Sequence, residues 1–355
     1  MSRLGRAPFL ALAVVALIAG LWGALARIGW NVSAPSAFVA YHGLFMTLGF
    51  LGTVISLERA VALGRRPAYA APVVTGLGAV LLALGLPAQV GMTLIAVGGA
   101  IFVAVSGFML RLAPELYTAV MGLGATGWLA AGLLWIAGTD VAALVPFLAA
   151  FLVLTIVGER LELARLLRLS PLGRALFVIA TLMFGSGVVA SLVVPDAGVR
   201  IAGAGALCLG LWLLRYDIAR RTVLQRGSVR YIAICVLLGY GWLSVAGILW
   251  VAIGPQVAGF GWDAMLHSLF LGYVMSMVLA HELIVVPAVL RIAMPFTYAF
   301  YVPLALLETS LAARIVGDAL QSAGWWQWTG LLNVTAIVLF AAVSVGSARG
   351  ILRPA

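Results

Sequence analysis

The 355-residue chain is 64% hydrophobic and only 9% charged, whereas soluble domains carry about a quarter charged residues. That excludes a soluble globular protein and leaves no segment over for a separate aqueous domain. The net charge of +10 does not point to a nucleic-acid partner, because every basic residue is an arginine and nearly all sit in short segments between apolar runs.

A helix needs about 20 apolar residues to cross ~30 Å of hydrocarbon, and such runs recur from end to end. The first, Pro8 to Ala26, follows Arg3 and Arg6. At about 19 residues it exceeds the roughly 7 to 15 of a signal-peptide core, so it is read as a retained helix. Spans are predicted near residues 8–28, 37–58, 69–86, 88–110, 116–137 and 141–158, then 173–194, 197–214, 231–253, 263–286, 295–317 and 329–348. Pro87, Pro114, Pro171 and Pro195 fall between spans, where a missing N–H costs least. Cys208 and Cys235 both lie inside apolar runs, which excludes a secreted disulfide framework.

With the N-terminus inside, 18 of the 21 arginines fall in cytoplasmic segments, and only Arg27, Arg200 and Arg314 lie outside. This is the positive-inside pattern, and one miscounted helix would scramble it. The expectation is an all-α, twelve-helix protein of the bacterial inner membrane with both termini cytoplasmic.

The second, sixth and tenth predicted helices end alike, in Ser56-Leu57-Glu58-Arg59, Val157-Gly158-Glu159-Arg160 and Leu279-Ala280-His281-Glu282. The second and tenth also begin alike, in His42-Gly43-Leu44-Phe45 and His267-Ser268-Leu269-Phe270. Helices four apart therefore carry related signatures, which predicts three pseudo-repeats of four helices in one transmembrane domain, over residues 1–115, 116–222 and 223–355.

All three histidines of the chain lie in the two helices so paired. His42 and His267 occupy equivalent depths near the outer surface. Two imidazoles at matched depth satisfy the requirement of bis-histidine haem ligation; the alternative is contact with interfacial water. His281, 14 residues beyond His267, lies ~21 Å further in and cannot bind the same iron. With Glu282 it forms either a second metal, quinone or proton site or an interfacial polar pair. Glu308 falls deep in the eleventh span, where an ionisable group is costly and marks a functional hypothesis; it either relays protons or is held by a neighbouring helix. Arg314, near the outer surface, suits a carboxylate, whether a haem propionate or a lipid phosphate in its place. Trp325, Trp326 and Trp328 read as an interfacial belt, and Gly49, Gly52, Gly122, Gly124, Gly203 and Gly205 as positions of close helix packing.

In Tyr41-His42-Gly43-Leu44-Phe45 and Leu266-His267-Ser268-Leu269-Phe270 the chain resembles the NnrS-like membrane proteins and, more distantly, subunit I of the haem-copper oxidases. The resemblance implies three arcs of four helices and a haem, expected to be b-type, held by His42 and His267, with Arg314 where the oxidases hold propionates. It implies a role in membrane redox chemistry or nitric oxide tolerance, with quinol or a redox protein as partner. The oxidase copper centre needs three histidines from the sixth and seventh helices, and residues 141–194 contain none. A second metal such as copper is thus unsupported by ligand count, and no oxygen reduction is expected.

Two other readings stand beside this one. Twelve helices also describe secondary transporters, and Glu58-Arg59 followed by Gly64-Arg65-Arg66 loosely matches a facilitator loop. The third is a membrane scaffold or assembly factor.

Overall fold

A computed structural model describes residues 6–164 and 169–352. Arg3, Arg165, Arg168 and Arg353, counted above among the cytoplasmic arginines, lie outside them. Twelve helices are long and apolar enough to cross a membrane. They are α1 (Ala7–Arg27), α2 (Ser36–Leu63), α3 (Arg66–Ala83), α4 (Ala88–Leu112), α5 (Leu116–Ile136) and α6 (Val141–Ala164). There follow α7 (Pro171–Ala190), α8 (Pro195–Tyr216), α9 (Gly227–Ile253), α10 (Phe260–Leu290), α11 (Tyr298–Ala319) and α12 (Ala323–Ala348). Among the described residues the protein is all-α, because in lipid each backbone polar group must find its partner within its own segment.

Local chemistry sets the helix ends. Pro171 and Pro195 each open a helix, where a missing N–H breaks no intrahelical bond. The Ser170 hydroxyl accepts from the Gly173 amide at 3.1 Å, and Glu115 and Thr118 form a reciprocal capping box at the start of α5. Gly64 closes α2 at φ +69°, in the left-handed region where a side chain is strained.

By compactness the chain divides into two units, the first of Met1–Thr155 with Ala288–Arg291 and the second of Ile156–Pro287 with Ile292–Ala355. In the first, α1 packs on α2 and α3, α3 on α4, and α4 on α5. Arg6 donates to the carbonyls of Ala288 and Val289 at 3.3 and 3.2 Å, which ties that short segment to this unit. In the second, α7 packs on α8, α8 on α9, and α11 on both α12 and the start of α10. This division concerns contacts, whereas the four-helix repeat expected from the sequence concerns internal similarity.

Small residues allow the close approaches. A Cβ on Gly124 would lie 2.7 Å from Thr155 Oγ1, and one on Gly203 would lie 2.7 Å from Trp250 Cβ. Gly122 is different from the sequence expectation, since a Cβ there would meet nothing within 4 Å. Hydropathy also fails to rank burial: α6 and α1 have the two highest mean hydropathies of the twelve, 2.6 and 2.4, yet α6 is the most buried and α1 the least. Apolar composition serves lipid contact and protein core equally.

Among the described residues two helices contain π-helical segments. In α2 residues Phe45–Gly52 are π-helical, and in α10 residues Ser268–Val274 are. Such segments are rare and gather at functional sites. Each begins within three residues of a histidine, His42 in α2 and His267 in α10.

Candidate cofactor site

In the first unit, α2 is kinked at Tyr41 (φ −111°, ψ 19°) immediately before His42. The His42 ring meets the carbonyl of Gly20 on α1, with Nδ1 2.6 Å from the oxygen. A carbonyl has no proton to give, so Nδ1 is the donor in this bond. Beyond the ring, the Thr47 hydroxyl bonds back to the Gly43 carbonyl at 2.7 Å and that of Thr53 to Gly49 at 2.6 Å. These hydroxyls occupy backbone acceptors along the π segment, where the regular α ladder is interrupted.

In the second unit, His267 stands one turn after Asp263 on α10. Its Nδ1 lies 3.0 Å from the Asp263 carbonyl and 3.2 Å from Asp263 Oδ1, both of them acceptors, so Nδ1 again donates. The Asp263 carboxylate is buried and held bidentately by Arg314 of α11, with Nε to Oδ2 at 2.6 Å and Nη2 to Oδ1 at 2.7 Å. Arg314 Nη1 donates to Asn333 Oδ1 of α12 at 3.2 Å, and Asn333 Nδ2 donates to Ser310 Oγ at 2.6 Å. Three helices thus close one buried polar network around the base of the His267 ring. Asp318, one turn beyond Arg314 and 4% exposed, has neither carboxylate oxygen hydrogen-bonded.

The other sequence candidates fall into separate surroundings of the second unit. Glu308 accepts from Trp242 Nε1 of α9 at 2.5 Å and from Ser276 Oγ of α10 at 2.8 Å. Trp242 reaches it because Gly272, in the π segment, has no side chain: a Cβ there would lie 2.5 Å from Trp242 Cγ. His281 donates from Nδ1 to the Met277 carbonyl at 2.6 Å, whereas Glu282 accepts from Ser344 Oγ at 2.7 Å, so each is tied to a different partner. Among the described residues no group of three or more His, Cys, Asp or Glu is arranged to hold a metal ion.

Sequence reading passed over Asp263, Trp242 and Asn333. Asp263 was detectable: an acidic residue at the edge of an apolar run, four residues before a histidine, shares its helix face. Asn333 and Trp242 carry no such signal, since their role depends on which helix lies opposite.

A family model described as a domain of unknown function, DUF8744, matches residues 6–349. No curated protein matches the chain.

Proposed function

As the chain belongs to the DUF8744 family, whose description assigns no activity, we propose a function from its own residues: a haem-binding membrane protein in which His42 and His267 would hold the haem iron. One observation carries this reading. Each of these two helices presents a histidine whose Nδ1–H is spent on a carbonyl oxygen, just upstream of a π-helical segment. Nδ1 bonding of this kind usually accompanies a ligating imidazole, because it fixes the ring's orientation. Two imidazole donors are the ligand set that bis-histidine haem ligation uses.

Bound haem would supply one-electron redox chemistry. The protein's part is to orient the two rings and to surround them with apolar helix. A haem held by two histidines would suit electron transfer from quinol or a redox partner better than oxygen reduction, and a role in nitric oxide tolerance is the alternative that the resemblance implies. The arginine distribution supports a bacterial inner-membrane location with cytoplasmic termini.

An absorption spectrum of the detergent-purified protein tests the proposal. The expected result is a Soret band with sharp α and β bands on reduction, lost in both His42→Ala and His267→Ala. The haem-to-protein ratio reports whether one iron takes both rings. Pure protein without haem, expressed with ample haem precursor, would sink the idea.

A second reading, a twelve-helix secondary transporter, is favoured by the buried Asp263–Arg314 pair and by Glu308 within the apolar span, since intramembrane ionisable groups mark transport pathways. Substrate-dependent uptake into liposomes by haem-free protein would establish it.

A further inference from the structure

We propose that Asp263 is a positioning residue for His267 and that Arg314 acts on the ring through it, rather than on a ligand of its own. This deepens the haem reading and rests on it only for its redox readout. The His267 Nδ1–H is shared between the Asp263 carbonyl at 3.0 Å and Asp263 Oδ1 at 3.2 Å, and the same carboxylate takes Arg314 Nη2 on Oδ1 at 2.7 Å and Nε on Oδ2 at 2.6 Å. Arg314 is itself immobilised by Asn333, and Asn333 by Ser310, so the carboxylate cannot swing away from the ring.

The chemistry is a balance. A carboxylate beside Nδ1–H draws that proton and pushes electron density into the ring, which makes Nε2 a stronger donor. Two charge-assisted bonds from Arg314 to the same carboxylate withdraw part of that density. His267 Nδ1 faces a carboxylate in addition to a carbonyl, whereas the acceptor at His42 Nδ1 is the Gly20 carbonyl, so the two rings are electronically unequal.

The chain has three histidines, so in full-length protein labelled with nitrogen-15 histidine each imidazole is assignable by single substitution. Spectra are recorded under reducing conditions, which keeps any haem iron in its diamagnetic ferrous state. Asp263→Asn should shift the His267 Nδ1 resonance toward a weaker hydrogen bond and leave His42 and His281 in place; Arg314→Gln should shift it the opposite way. In haem-loaded protein the reduction potential should rise in Asp263→Asn and fall in Arg314→Gln, because a stronger donor stabilises ferric iron. If Asp263→Asn does not accumulate in the membrane, Asp263→Glu displaces the carboxylate and is expected to shift the same resonance. An unmoved His267 signal, or equal shifts at all three rings, overturns the proposal. A wild-type protein without haem would refute the haem reading alone, since the resonance measurement still decides the role of Asp263.

Discussion

The buried pair of Arg160 and Asp217 in the second unit offers the sharpest test of how this bundle handles charge. Asp217, 2% exposed, accepts from Arg160 Nε at 2.9 Å and Nη2 at 2.7 Å, from the Tyr240 hydroxyl at 2.9 Å and from the Ala219 amide at 2.7 Å. All the lone-pair directions of its carboxylate are used. Arg160→Met leaves a buried carboxylate with two neutral donors and should cost about 3–5 kcal/mol, the range for breaking a buried pair from one side. Asp217→Asn strands the guanidinium and should cost a similar amount. The double variant removes both charges, so its loss should fall short of the sum by about 2–3 kcal/mol. Unfolding of the micelle-bound protein by titrated dodecyl sulfate, followed by circular dichroism, measures all three. A single-variant loss below about 1 kcal/mol, or additivity within about 0.5 kcal/mol, would refute the argument that burial makes the pair interdependent.

Other substitutions read the same titration. Gly272→Ala places a Cβ 2.5 Å from Trp242 Cγ, which forces the indole off Glu308 and should cost about 1–3 kcal/mol; wild-type stability would mean that the indole is not seated there. Gly64→Ala, at φ +69° with nothing within 4 Å, should lose about 1 kcal/mol from backbone strain alone. Gly107→Ala, on α4 with nothing within 4 Å of its Cβ, should gain up to about 1 kcal/mol from helix propensity, so opposite signs are expected from two equally uncrowded glycines. Asp318→Asn should raise stability, because an amide supplies a donor to a site whose buried carboxylate oxygens are not hydrogen-bonded; a loss of more than about 1 kcal/mol, the worth of a typical hydrogen bond, would show that the carboxylate itself is required.

The helices were legible for a physical reason: the bilayer demands about 20 apolar residues per crossing, and that demand is written locally. Prolines and capping residues at the ends of α5, α7 and α8 are local signals too, so those boundaries agree with the expectation to within a few residues. The π segments were not legible. Phe45–Gly52 and Ser268–Val274 are composed like ordinary apolar helix, and a shift from i→i+4 to i→i+5 bonding has no compositional mark. The candidate site was half visible. Scarcity singled out His42, His267 and His281, and depth singled out Glu308 and Arg314, but none of this named a partner.

Partners are a matter of which helices meet. Arg160 reads in sequence as one more arginine at a cytoplasmic helix end, yet it is buried against Asp217, 57 residues away. Arg314 reads as an outer-face arginine suited to a propionate, and the fold gives its Nε and Nη2 to Asp263. By itself, then, the sequence determined how many helices are long and apolar enough to cross a membrane, because hydrophobicity acts on each segment separately. Only tertiary structure decided which carboxylate holds which arginine and which carbonyl orients each imidazole, because a hydrogen bond depends on the side chain opposite and on ångström-scale geometry.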